Sequence, residues 1–103
     1  MARVLSILIV DDDEDDFFLT SEYLHGITGQ SFEISWAPSY DQALNLLSAK
    51  NFDLCFFDYL LGFRTGLDLL RVAKELGLRV PIILLTGKLD TEVDVQAIRS
   101  GVA

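Results

Sequence analysis

The stretch Leu5-Ser6-Ile7-Leu8-Ile9-Val10-Asp11-Asp12 decides the fold, because a run of mostly apolar residues ends abruptly in two acids. Short apolar runs rich in β-branched residues are typical of strands that a sheet buries on both faces. The run is far shorter than the roughly 20 apolar residues that span a bilayer. It also lacks the small-residue cleavage site of a secretory signal. We therefore predict a buried strand with acids at its carboxyl end.

Three further segments have the length and composition of strands, namely residues 32–36, 53–58 and 81–86. The second and third of these repeat the buried pattern. Residues 32–36 alternate apolar with polar side chains before a proline, which is typical of a strand near a sheet edge. The segments between successive strands all exceed the dozen or so residues that a helical crossover between parallel strands needs.

Helix signals fill the segments between these strands. A first helix is predicted over residues 14–25, Ser39 caps a second, Thr65 caps a third that stops at Gly77, and a fourth begins at Asp90. Strands and helices thus alternate along the chain. This order predicts the α/β class, with a doubly wound parallel sheet and helices on both of its faces.

Composition limits the function further. The chain has 103 residues, half of them hydrophobic, and a formal net charge of −8, which predicts one globular domain. Such an acidic surface repels phosphate backbones and attracts cations, so we expect no direct nucleic-acid partner. Every apolar run is too short to span a bilayer, so we expect no membrane partner either. The single cysteine, Cys55, excludes a disulfide scaffold and favours a reducing, cytoplasmic location.

Polar residues stand at the carboxyl ends of three predicted strands, where an open parallel α/β sheet binds its ligands. Asp11 and Asp12 follow the first strand, Asp58 ends the third, and Thr86 ends the fourth. If the first and third strands are neighbours, their axes lie about 4.8 Å apart and the three carboxylates share one crevice. Like charges that close repel each other unless a cation lies among them, and hard oxygen ligands favour Mg²⁺.

These motifs together resemble the receiver domain of two-component response regulators, over almost the whole chain. The resemblance rests on Val10-Asp11-Asp12, on Asp58 at a strand end, on Gly66 opening a helix, and on Leu85-Thr86-Gly87. It implies a flavodoxin-like receiver fold in which the strands present have the order 2-1-3-4. It also implies a phosphorylation-controlled signalling module of a two-component system.

The resemblance implies a role for each residue at the strand ends. Asp58 would accept a phosphoryl group from a sensor histidine kinase or a phosphotransfer protein. Asp12 would bind Mg²⁺ directly, Asp11 largely through water, Asp58 by its carboxylate and Leu60 by its backbone carbonyl. Thr86 would donate a hydrogen bond to the phosphoryl group. Such a module is not an enzyme in the usual sense, although it assists its own phosphoryl transfer and dephosphorylation.

Two departures from the family pattern add expectations. Leu61-Gly62 replaces the usual Met-Pro, so we predict a flexible loop over residues 59–65. The sequence ends at Ala103, where the family continues into a fifth strand, a lysine and a fifth helix. We therefore expect residues 1–103 to form a single, C-terminally incomplete receiver domain. An exposed edge of this kind predicts a homodimer through the fourth strand or fourth helix.

Two alternative functions stay open at this point. The missing lysine leaves room for a pseudo-receiver, an interaction module that is never phosphorylated. An aspartyl-nucleophile phosphohydrolase of the haloacid dehalogenase type is less favoured, since Leu60 stands where such enzymes carry their second acid. Nucleotide or flavin binding is disfavoured, because the first strand is followed by acids instead of a glycine-rich phosphate cradle.

Overall fold

The computed structural model describes residues 3–85 of the chain. Within that range the elements alternate as predicted, except that a small hairpin follows the third strand. In chain order they are β1 (Val4–Val10), α1 (Glu14–His25), β2 (Ser31–Ala37), α2 (Tyr40–Ala49), β3 (Leu54–Asp58), β4 (Leu60–Leu61), β5 (Arg64–Thr65), α3 (Gly66–Glu75) and β6 (Ile82–Leu85). The predicted fourth strand is β6. Thr86 and the predicted fourth helix lie outside the described residues.

Four parallel strands form the sheet, in the order β2-β1-β3-β6. This confirms the predicted order 2-1-3-4 and places β2 at an edge, as its alternating sequence indicated. The register sets Val10 beside both Ala37 and Phe57, and Asp58 beside Leu85. The strands thus reach their carboxyl ends at one rim of the sheet, which is where the acids lie.

The sheet packs on both faces, because successive side chains of a strand point to opposite sides. Phe57 is fully buried in the larger cluster, which α2 and α3 cover, whereas Phe56 packs on a smaller cluster around Ile7, Ile9 and Leu24. Cys55 is also buried, and burial raises the pKa of its thiol to about 12. No helix among residues 3–85 has both the length and the apolar character that a membrane crossing needs.

Side-chain caps define where two of the helices begin near the rim. Asp13 accepts hydrogen bonds from the backbone N–H groups of Asp15 and Asp16 at the start of α1. Thr65 and Asp68 form a reciprocal capping box at the start of α3, which confirms the predicted cap. These caps satisfy backbone donors that a first turn leaves free, so α1 begins four residues after β1 ends and α3 begins directly after the short segment that follows β3.

The segment after β3 folds into an antiparallel hairpin, with Leu61 opposite Arg64. Gly62 has a φ of +69°, a left-handed conformation that glycine adopts without strain. The Arg64 guanidinium lies 4.7 Å from the ring centre of Tyr40 and ties the hairpin to α2. Residues 59–65 contain this hairpin, and the flexibility expected of them stays a prediction.

Candidate functional site

Three carboxylates converge at the rim of the sheet. Asp11 directly follows β1, Asp12 is the next residue, and Asp58 is the last residue of β3. Each offers a carboxylate oxygen, and these oxygens all lie within 4.8 Å of one another. Asp11 is buried, Asp58 half-buried and Asp12 exposed. The structure thus brings together the three acids that the strand ends predicted, with Asp12 on the side open to solvent.

Three hydrogen bonds hold Asp11, through its backbone N–H, its carboxylate and its backbone carbonyl. Its backbone N–H donates to the carbonyl of Ala37 at 3.1 Å, and its carboxylate accepts from the N–H of Asp13 at 3.0 Å. The indole Nε1 of Trp36 donates to the Asp11 carbonyl oxygen at 2.8 Å. Sequence reasoning missed Trp36, and the only signal was a lone tryptophan at the carboxyl end of an edge strand.

Asp58 is fixed by the chain that follows it. The N–H of Tyr59 donates to the carbonyl of Leu85 at 2.8 Å and extends the pairing of β3 with β6. The N–H of Gly66 then donates to the carbonyl of Tyr59 at 2.7 Å, which brings the start of α3 against the end of β3. Gly66 packs so closely on the Asp58 backbone that a side chain there would collide with it.

The crowded acids change each other's ionisation. The pKa of Asp58 is raised to about 6, chiefly by burial and secondly by the negative charges of Asp11 and Asp12. Burial also raises the pKa of Asp11, against the hydrogen bond from the Asp13 backbone. Both shifts mean that the ionised carboxylates are unfavourable where they stand. A site that holds two or three negative charges at an open rim fits a hard cation with free coordination positions.

A first prediction concerns stability without metal. The pKa of Asp58 is higher in the folded chain than in the unfolded one, so its contribution to stability is full below about pH 4 and is lost as pH rises through about 6. At pH 7.5 without divalent ions we therefore expect Asp58→Asn to raise the free energy of unfolding by about 1–2 kcal/mol. Urea unfolding in a chelating buffer measures it.

The same measurement at pH 4 is the control, because the gain should vanish once both chains carry a protonated or neutral side chain at this position. An Asp58→Asn chain that is no more stable than wild type at pH 7.5 would contradict the charge crowding.

The described structure leaves the roles of two predicted site residues untested. Leu60 lies in β4, two residues after Asp58, and is 65% exposed, and its backbone carbonyl stays a predicted ligand. Thr86 directly follows β6 and lies outside the described residues. Its predicted hydrogen bond to a phosphoryl group also stays a prediction.

A comparison with protein families decides what this arrangement is. A family model for the response regulator receiver domain matches residues 7–103. The chain belongs to that family. Receiver domains are signalling modules of two-component systems, which confirms the predicted family and class of function.

Curated relatives of this receiver domain are regulators. It is 37% identical to the alginate biosynthesis transcriptional regulatory protein AlgB of Pseudomonas putida over 99 residues, which cover 94% of this chain and 21% of AlgB. It is 35% identical over 75 residues to the response regulator protein PmrA of Pseudomonas aeruginosa, covering 73% of this chain and 34% of PmrA. The chain thus spans between a fifth and about a third of the length of these two relatives.

Solved structures share the fold. A CheY-like receiver domain protein from Methanospirillum hungatei superposes with a TM-score of 0.78 at 30% identity, covering 97% of this chain and 78% of that one. A response regulator from Burkholderia pseudomallei, solved with a phosphorylated aspartic acid, calcium ion and citrate, gives 0.80 at 28% identity over 95% and 56% of the two chains. TrrA from Thermotoga maritima, in complex with Mg²⁺-BeF, gives 0.79 at 27% identity over 92% and 80%.

Proposed function

We propose that this receiver domain accepts a phosphoryl group on Asp58 from a sensor histidine kinase or a phosphotransfer protein. The observation that carries the proposal is the cluster of three carboxylate oxygens within 4.8 Å of one another at the strand ends. The phosphorylated aspartic acid of the Burkholderia pseudomallei neighbour supports the same chemistry here. We place the reaction in the cytoplasm and assign it to one receiver domain over residues 1–103.

Asp58 acts as the nucleophile. One of its carboxylate oxygens attacks the phosphorus of a phosphohistidine, forming the O–P bond of an aspartyl phosphate as the P–N bond breaks. The electron pair of that bond leaves with the imidazole nitrogen, which then takes up a proton. With a pKa of about 6, Asp58 is mostly ionised at neutral pH and therefore available to attack.

The donor set of the site fits a divalent metal. Asp12 lies on the exposed side of the cluster and would bind the ion directly, the buried Asp11 largely through water, and Asp58 by its carboxylate. Leu60 would add its backbone carbonyl. Hard oxygen donors beside open water positions favour Mg²⁺. When bound, the ion neutralises charge on the phosphoryl oxygens.

The structural neighbours support a divalent ion at this site, and experiment must decide between Mg²⁺ and Ca²⁺. The Burkholderia pseudomallei structure contains calcium, and the Thermotoga maritima structure contains Mg²⁺. Thr86 would donate its hydroxyl to the transferred phosphoryl group, and the same residues would then assist dephosphorylation. Slow turnover as a phosphohydrolase is disfavoured, because the position of a second acid is the apolar Leu60.

A second prediction concerns metal binding. A ligand that binds only the folded state raises its stability, by about 1.4 kcal/mol when its concentration is ten times the Kd. We therefore expect millimolar Mg²⁺ to raise the melting temperature of the wild-type chain and to leave that of Asp12→Asn nearly unchanged. Glu75→Gln is the matched control, since Glu75 is exposed at the last turn of α3, far along the sheet from the rim.

In Glu75→Gln, Mg²⁺ should raise the melting temperature by as much as in wild type. An equal rise in Asp12→Asn would mean that Mg²⁺ stabilises the chain somewhere other than at the cluster.

The phosphorylated state is tested with beryllofluoride, the phosphoryl mimic present in the Thermotoga maritima complex. With Mg²⁺, we expect beryllofluoride to shift the amide resonances of Tyr59 and Gly66. Tyr59 directly follows Asp58, and the N–H of Gly66 donates to the Tyr59 carbonyl. Asp58→Asn should show no such shifts. A wild-type chain that binds Mg²⁺ and ignores beryllofluoride would instead favour the unphosphorylated interaction module.

A further inference from the structure

Trp36 connects the edge strand to the metal-binding loop. It lies in β2, on the same side of the strand as Phe32 and Ile34, and its indole N–H donates to the Asp11 carbonyl at 2.8 Å. The ring of Phe17, from the first turns of α1, stacks on the indole with centroids 4.8 Å apart and planes 11° apart. One side chain thus contacts the strand end, the acidic loop and the helix that follows it.

The hydrogen bond acts on the peptide that carries Asp12. The Asp11 carbonyl belongs to the peptide bond between Asp11 and Asp12, so a donor fixed to that oxygen fixes the orientation of this peptide plane. On the other side of Asp12, the N–H of Asp13 donates to the Asp11 carboxylate at 3.0 Å. Asp12 therefore stands between two anchored peptides, although its own side chain is exposed.

We propose that Trp36 is a positioning residue for the cation site, which it orders by holding the peptide between Asp11 and Asp12. The stack on Phe17 restricts the indole, and the indole N–H in turn restricts the backbone that aims the Asp12 carboxylate. This inference rests on the proposed function, because it assumes that the three carboxylates bind a divalent ion. Partners that orient metal ligands typically contribute a factor of about 10 to 100 in affinity.

The test removes the donor and keeps the ring. Trp36→Phe retains an aromatic side chain that can stack on Phe17 but has no N–H group. Phe32→Leu is the matched control, because it shortens a half-buried aromatic side chain on the same face of the same strand, four residues before Trp36 and away from the loop. We expect the Kd for Mg²⁺, measured by NMR titration of folded protein, to rise about tenfold in Trp36→Phe and to stay within twofold of wild type in Phe32→Leu.

The wild-type chain supplies its own spectroscopic readout. It has one tryptophan, so its single indole N–H resonance belongs to Trp36. On titration with Mg²⁺ this resonance should shift with the same midpoint as the Asp12 amide. An indole resonance that ignores Mg²⁺ while the Asp12 amide saturates would overturn the proposal, as would a wild-type Kd in Trp36→Phe.

A metal-free measurement separates this proposal from the proposed function. Without divalent ions, the Asp13 amide should exchange faster with solvent in Trp36→Phe than in Phe32→Leu, because its acceptor on Asp11 is no longer held. Equal exchange in the two variants would overturn the positioning role. If the wild-type chain bound no Mg²⁺ at all, the proposed metal site would fail, and faster exchange would still support the ordering of the loop by Trp36.

Discussion

Replacing Gly66 by alanine is expected to destabilise the fold by about 3 kcal/mol, the upper range for an overpacked position. A Cβ at residue 66 would lie 2.2 Å from the Asp58 carbonyl oxygen, 3.0 Å from its carbonyl carbon and 2.9 Å from the Cδ1 of Leu84. The Leu84 side chain can move aside. The Asp58 carbonyl cannot, because it is the backbone at the end of a buried strand.

Urea unfolding of Gly66→Ala measures this effect, and Gly26→Ala is the control. A Cβ at Gly26 meets only carbonyl oxygens at 3.4 and 3.5 Å, which is ordinary contact, so this variant should unfold near the wild-type midpoint. Equal midpoints for the two alanine variants would contradict the close approach of α3 to Asp58. This close packing of α3 matters for function, because it fixes the backbone of Asp58 at the end of β3.

Replacing Asp58 by asparagine is expected to abolish phosphoryl acceptance while leaving a folded, and in fact more stable, chain. The amide is a poor nucleophile, and the carboxylate oxygen that would form the O–P bond is absent. Because the same change relieves the charge crowding at neutral pH, lost activity cannot be ascribed to unfolding. The rate of phosphorylation by acetyl phosphate measures the effect.

Asp12→Asn separates the metal from the nucleophile in the same assay. It keeps Asp58 but removes a metal ligand, and a loss of about 2.7 kcal/mol of charge stabilisation should slow phosphorylation by about a hundredfold. Glu75→Gln should react at the wild-type rate. If Asp12→Asn also reacted at that rate, Asp12 would have no part in the transfer.

The acidic site is the part of the molecule that the sequence predicts best. Short apolar runs that stop at Asp11 and Asp58 mark the ends of buried strands, and the rule that parallel strands end at one rim then brings the acids together. The caps at Thr65 and Ser39 were predictable for a similar reason, since each depends on residues three apart.

Other features depend on contacts that a sequence pattern does not contain. The bond from Trp36 to Asp11 joins residues 25 positions apart and requires one rotamer of the indole. The β4–β5 hairpin consists of two-residue strands, which are too short to show any periodicity, so only Gly62 indicated a turn there. The closeness of Gly66 to Asp58 likewise follows from how α3 packs, although the motif had drawn attention to that glycine.

Without a metal ion, the ionised acidic site lowers the stability of the fold. Burial and like charge raise the pKa of Asp58, so the ionised form that reacts is the form that the fold holds least favourably. Functional sites often keep such locally unfavourable groups, at a cost in stability that a ligand offsets. Here the ion and the phosphoryl group are the ligands that would remove the conflict.

The position of the phosphoryl group on the chain tests most directly whether Asp58 is the acceptor. The full chain is incubated with acetyl phosphate and Mg²⁺, trapped with borohydride, digested and analysed by mass spectrometry. We expect a single reduced site at Asp58 in wild type, no reduced site in Asp58→Asn, and little reduction at Asp58 without divalent ions. A modification at Asp11, Asp12 or any other acid, or an unmodified wild-type chain that nevertheless binds Mg²⁺, would contradict this expectation.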